Sequence, residues 1–313
     1  MNLKPKEFWN EFRYKPFLQD SLIFKTRMDA ADIGAFDTYP HFVAWNDESK
    51  LVVGINSAAF DSPEPDHKKH HGLISEETLN GLEKYLKGLI WNPSDLRVCL
   101  LHHHPIIYSD PQSNIPDFSA ATNAANLFEI LSKYNFDLVI HGHKHYPQLT
   151  HHAAGTNGHP VTVLGAGSLS AKLSSQWNGI AQNQFHIVEI EGRNENTNGT
   201  FGFVATWNHV SGKWREGHSQ LGLCATEGFG TLSTPHEIRL AIAEKFVQIM
   251  ADPKIQMCTW ELLVQKIPHL KHSKNSIVFD AMSKVADDVG GIVFGDVDSK
   301  KTKWAILRLK DGA

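Results

Sequence analysis

Nineteen histidines in 313 residues are the side chains here best suited to chemistry, because imidazole is the commonest transition-metal ligand near neutral pH. Two runs of them stand where a ligand would be held stiffly. In Val139-Ile140-His141-Gly142-His143-Lys144-His145 a buried apolar stretch leads straight into Gly-His-Lys-His. In an extended segment residues two apart face one side, so His143 and His145 are expected to point at one site. Gly142 lets the chain turn closely there. The other run, His102-His103-His104-Pro105, follows Val98-Cys99-Leu100-Leu101, and the proline blocks further strand pairing. Alone, His102 or His141 reads as a satisfied polar residue at a strand end. Both runs together, each behind a buried strand, point to a metal site.

The elements that position these runs read as follows. Residues 50–57, ending in Leu-Val-Val-Gly-Ile-Asn-Ser, predict a buried strand, and a loop rich in Pro, Asp and His follows. Ser75 opens a helix with Glu76 and Glu77 in its first turn and Leu79, Leu82, Tyr85, Leu86 and Leu89 along one stripe. Strands are expected at 97–101, 136–140, 160–167, 185–190 and 201–207, with a second helix at 119–133. Strands alternating with helices predict an α/β (α+β) layer fold. Residues 211–233, rich in Gly, Ser and Thr with little periodicity, read as a linker. Beyond it, Thr234-Pro235 caps a helix to about residue 250, two more helices are expected at 260–266 and 273–288, and strands at 292–297 and 303–309 form a hairpin.

Bulk properties narrow the class. With 41% hydrophobic and 20% charged residues, composition is that of a globular protein. No apolar run approaches the roughly 18 residues of a membrane helix, and residues 1–9 lack the apolar stretch of a secretory signal; a cytoplasmic protein without a membrane role is expected. Cys99, Cys224 and Cys258 are few, odd in number and far apart, so they read as reduced structural thiols. A net charge of −4 makes no whole-chain case for nucleic acid.

In these motifs the chain resembles the calcineurin-like metallophosphoesterases. The matching pieces, in family order, are the helix segment Gly-Leu-Ile-Ser-Glu-Glu-Thr-Leu-Asn-Gly-Leu-Glu-Lys-Tyr-Leu at 72–86, Val-Cys-Leu-Leu-His-His-His-Pro at 98–105, Leu-Val-Ile-His-Gly-His-Lys-His at 138–145 and Val-Thr-Val-Leu-Gly-Ala-Gly-Ser-Leu-Ser at 161–170. The likeness spans roughly residues 20 to 210. It implies a sandwich of two sheets flanked by helices, with two metals between strand ends. His103, two before Pro105, matches a metal-ligating histidine, and His143 and His145 match the pair of Gly-His-x-His. His104 matches a position beside the metals, and His141 is grouped with it as near-site or substrate-facing. The implied cofactors are divalent Mn, Fe, Zn or Ni, two in a complete site, and the implied activity is hydrolysis of a phosphate mono- or diester by metal-bound hydroxide.

The chain departs from the family at the front. Asp-x-His, Gly-Asp and Gly-Asn-His, which precede the matching motifs in the family, have no counterpart here. The expected architecture is therefore the carboxy-terminal portion of a phosphoesterase domain over residues 1–210, a linker at 211–233 and a small winged-helix-like domain at 234–313. A missing amino-terminal segment or subunit becomes an implied partner alongside the phosphate-ester substrate. Three histidines by themselves keep at most one metal, and that leaves two further hypotheses: a mononuclear zinc hydrolase using His103, His143 and His145, and a non-catalytic binding protein with a relic metal site. For the carboxy-terminal domain, nucleic-acid binding stands beside packing or dimerisation. It carries twelve Lys/Arg against ten Asp/Glu from Pro235 on, with Lys300, Lys301 and Lys303 on the expected wing and Lys271, Lys274 and Lys284 at the third helix.

Overall fold

The computed structural model describes residues 42–47, 49–58, 72–107, 120–153, 159–169, 182–217, 223, 225–231, 233–297 and 301–308. The reading of residues 1–9 and those of Cys224 and Lys300 lie outside them. The chain adopts the expected mixed α/β fold and divides into two compact units, one of residues 1–144 and 152–164, the other of residues 145–151 and 165–313.

In the first unit β1 (Phe42–Asp47) pairs antiparallel with β2 (Lys50–Ile55), and β2, β3 (Leu96–Leu101) and β4 (Leu138–His141) run parallel as neighbours. β6 (Pro160–Gly165) lies beyond β4, and β5 (Gln148–Ala153) straddles the division between the units. Parallel strands need crossovers, and α1 (Glu76–Lys87) and α2 (Ala124–Lys133) provide them. Ser75 caps α1 as its acidic first turn predicts, its side chain accepting from the Thr78 N–H at 3.1 Å. Leu79, Leu82 and Leu86 of α1 and Leu127, Phe128 and Leu131 of α2 bury against Leu51, Val53, Cys99, Val139 and Val163.

The start of β3 is held in register by Arg97 and Asp137. The Arg97 N–H donates to Asp137 Oδ2 and the Asp137 N–H to the Arg97 carbonyl, each at 2.9 Å. The buried guanidinium donates to the carbonyls of Asn92 at 2.8 Å, Tyr134 at 3.1 Å and Asn135 at 3.3 Å, and lies 4.4 Å from the Trp91 ring centroid. Fixing the starts of β3 and β4 fixes where they end: β3 leads directly into His102, and β4 ends at His141.

In the second unit β7 (Gln184–Arg193) and β8 (Thr200–Val210) form a long antiparallel hairpin. The segment expected as a linker carries two strands instead: β9 (Lys213–Glu216) and β10 (Thr226–Phe229) both pair with β8. The turn between β8 and β9 is Ser211-Gly212, both with positive φ (50° and 76°), as the primed two-residue hairpin turns require. At residues 211–212 the Ser-Gly pair marks a tight turn.

The carboxy-terminal helices fall where expected, as α3 (Pro235–Met250), α4 (Trp260–Lys266) and α5 (Asn275–Asp288). The hairpin is β12 (Gly291–Phe294) with β13 (Ala305–Arg308), and a short strand the sequence did not reveal, β11 (Met257–Thr259), joins it in the order β11-β13-β12. Ile242, Phe246, Leu263, Val278, Met282, Trp304 and Ile306 fill the core between them. Several lysines counted toward nucleic acid are engaged within this unit. The Lys301 ammonium donates to the Ser273 carbonyl at 2.8 Å, Lys271 reaches Glu191 at 2.9 Å, and Lys284 reaches Asp280 at 2.7 Å. Cys99 and Cys258 are free and buried, and burial pushes both thiols up to about 12, which suits structural thiols. Among the described residues no helix is long and apolar enough to cross a membrane.

Candidate metal centre

Three parallel neighbours end side by side, since Ile55 of β2 stands opposite Leu101 of β3, and Leu101 opposite His141 of β4. Open parallel sheets bind ligands beyond the carboxyl ends of their strands. At that edge β2 delivers Ser57, β3 delivers His102, His103 and His104, and β4 delivers His141 and His143.

His103 and His104 are completely buried, whereas His102 is exposed and His143 half-buried. Ser57 fixes His103 twice: its Oγ accepts from the His103 backbone N–H at 3.1 Å and lies 3.0 Å from Nδ1. In the tautomer that donates Nδ1–H to this hydroxyl, Nε2 presents the lone pair, which is the arrangement that orients metal-ligating histidines. Behind the ring is Gly72, where an added Cβ would stand 2.5 Å from His103 Cβ and Cγ.

His143 reaches the site through a strained turn. Its φ is +71°, and the Lys144 N–H donates to the Gly142 carbonyl at 3.0 Å, a γ-turn of the rare left-handed kind. The Gly142 N–H donates to the His102 carbonyl, also at 3.0 Å, and this bond between strand ends holds the turn beside β3. Non-glycine residues held in this region mark sites where surrounding structure over-determines the backbone. His145 also has positive φ, +55°. The premise that residues 143 and 145 share a face of an extended segment therefore fails, because β4 ends at His141.

One ring nitrogen from each of His102, His103 and His143 lies within 4.8 Å of the others. The His143 Nδ1 to His102 Nε2 distance is 3.0 Å, and the His103 and His143 ring centroids are 4.5 Å apart. His104 stacks beside His143 at 6.4 Å, and His141 is 6.3 Å from His104, so both border the group without belonging to it. His145 opens the second unit and is not one of the three. His102 falls within this group although the sequence reads it as a satisfied polar residue at a strand end; the run of three histidines there is the one local sign of it. Ser57 carried no signal, because nothing local says that β2 ends beside β3.

Burial pushes the His143 imidazole down to about 4, with His103, His102, His104 and Lys144 adding repulsion. His141 is pushed to about 4 as well, by burial first and then by His104 and His143, against an opposing hydrogen bond to the Gly142 carbonyl. Both are neutral near pH 7, the form that binds metals. The three imidazoles suit one transition ion. Among the described residues the group contains no carboxylate.

No family model and no curated protein matches the chain. Among solved structures it is similar to GAP50, the anchor in the inner membrane complex of Plasmodium, with 17% identity, a TM-score of 0.32, and 58% of this chain and 53% of that chain covered. It is also similar to the purple acid phosphatase PPD1 from yellow lupin (Lupinus luteus) seeds, with 15% identity, a TM-score of 0.32, and 56% and 31% covered. A third is a putative 5'-nucleotidase from Staphylococcus aureus, with 16% identity, a TM-score of 0.23, and 59% and 28% covered. The chain thus spans about half the length of the first and a third or less of the other two.

Proposed function

We propose that this chain carries part of a metal-dependent phosphoesterase site, acting on a phosphate mono- or diester. The observation that carries the reading is the meeting of His103 and His143, rings 4.5 Å apart, beyond the carboxyl ends of adjacent parallel strands. Those two residues come from the motifs that resemble the metallophosphoesterases. A bound divalent ion supplies Lewis acidity toward a phosphoryl oxygen and a hydroxide-like nucleophile near neutral pH. The protein's share is to keep His103 oriented through Ser57, to hold His143 neutral by burial, and to fix the γ-turn that presents it. A two-ion site on this reading needs carboxylate donors in addition to the described group.

Hydrolysis of an aryl phosphate ester by the metal-stripped chain, reloaded in turn with Mn, Zn, Ni and Fe(II), tests it. Metal-stimulated turnover that His103→Ala and His143→Ala abolish is the expected result. No stimulation, even after an amino-terminal segment carrying the three upstream motifs is supplied, would leave the non-catalytic binding protein as the account.

For the carboxy-terminal part we propose a winged-helix-like fold; its helix-strand-helix-helix-strand-strand order and the sheet order β11-β13-β12 support that reading. Salt-dependent retardation of duplex DNA in a gel-shift titration would support a nucleic-acid role; no retardation at low salt removes it.

A further inference from the structure

We infer that His102, His103 and His143 form a single-ion site of three imidazoles, with His102 and not His145 as the third ligand. The inference does not require the phosphoesterase reading, because it concerns which atoms hold an ion and not what the ion then does.

The geometry is close to what such an ion needs. A tetrahedral ion with metal–nitrogen bonds of about 2.0–2.1 Å places its ligand nitrogens about 3.3 Å apart. His143 Nδ1 and His102 Nε2 are already 3.0 Å apart, and a ring nitrogen of His103 lies within 4.8 Å of both. The ring planes are splayed: His102 meets His103 at 85° and His143 at 78°, with centroids 4.9 Å apart in each pair. Rings crossing at such angles can aim lone pairs at a common point, whereas a parallel stack cannot. Support differs along the series. His103 is buried and pinned by Ser57, and His143 is fixed by its turn. His102 is exposed, so it supplies both the last ligand and the route by which an ion enters.

The donor set decides the class of ion. Imidazoles suit Zn, Co, Ni and Cu, while Mg and Ca take oxygen ligands. Neutral imidazoles do not offset the ion's double charge, and three is the protein-ligand count of catalytic zinc sites, which keep a fourth position for a non-protein ligand. That position takes water or an anionic oxygen ligand such as inorganic phosphate.

The test is Co(II) titration of the full metal-stripped chain, followed by calorimetry and by the visible absorption of four-coordinate cobalt. One Co(II) per chain is expected. His102→Ala should weaken binding about 100-fold or more, since losing even an outer partner of a ligand costs about 10–100-fold, and His145→Ala should stay within about twofold of the parent. His102 is a surface side chain, and circular dichroism reads whether the variant folds; a His102→Cys variant, which restores a soft donor, should recover the absorption with a changed spectrum. Parent-like binding by His102→Ala, an equal loss in His145→Ala, or two ions per chain would each overturn the assignment. None of these readouts involves hydrolysis, so a chain that binds Co(II) as described yet turns over no ester would reject the proposed function and keep this site.

Discussion

Adding one methyl group at Gly72 should push His103 out of place. An alanine Cβ there stands 2.5 Å from His103 Cβ and Cγ and 2.8 Å from Nδ1, where carbon contacts are comfortable only near 3.5–4.0 Å. The ring must retreat by about 1 Å, and His103 is completely buried, so neighbours must move with it. Overpacking of this kind costs about 1–3 kcal/mol. The retreat also stretches the 3.0 Å contact between Nδ1 and Ser57 Oγ, worth about 1 kcal/mol. Gly72→Ala should therefore lose about 2–4 kcal/mol in urea unfolding followed by tryptophan fluorescence, and bind Co(II) about 10–100-fold more weakly. Gly81→Ala is the matched control. It lies inside α1, where among the described residues the new Cβ meets only Phe42 Cε1 at 3.4 Å, and replacing a helix-interior glycine gains about 1 kcal/mol. The same methyl group should thus act with opposite sign at the two positions. If Gly72→Ala unfolds at the parent's urea concentration with parent-like Co(II) affinity, the packing of residue 72 against His103 is not what orients the ring.

Three other outcomes follow from single residues. His143→Gly should be about 1 kcal/mol more stable than His143→Ala in urea, because glycine alone carries the +71° φ without strain; equal stabilities would mean the turn is not strained. His186 accepts the Gly167 N–H at Nε2 and pairs Nδ1 with Thr206 Oγ1, each at 3.1 Å, and burial pushes its pKa from 6.5 to about 4. The unfolded chain then takes up this proton first, so the stability is complete above about pH 6.5, falls as pH drops toward 4, and is flat below. The loss reaches at most about 3 kcal/mol, and His186→Gln should show a correspondingly shallower decline between pH 7 and 4; parallel curves would contradict it. In α3, Thr234 Oγ1 accepts the Glu237 N–H at 3.2 Å while Glu237 Oε2 accepts the Thr234 N–H at 2.7 Å. Thr234→Ala should cost about 1 kcal/mol and Thr234→Ser much less, read by thermal unfolding of the two variants.

The sequence by itself determined which segments are strands and helices around the site, and that histidines leave the ends of two of those strands. Apolar runs such as Val98 to Leu101, the capped amphipathic α1 and the Thr234-Pro235 helix start are written in local chemistry. Local chemistry did not contain the partners of those strands, so β1, β5 and the short β11 went unread, and the Ser211-Gly212 turn passed for a linker. The same limit governed the site. Pairing residues 143 and 145 by the period of an extended chain was sound only while the chain stayed extended. The backbone is left-handed at His143, directly after a hydrogen bond across 40 residues from the Gly142 N–H to the His102 carbonyl. Only the tertiary structure decided that His143 meets His102 and His103, because the order β2-β3-β4 and that one long-range bond set which strand ends are neighbours.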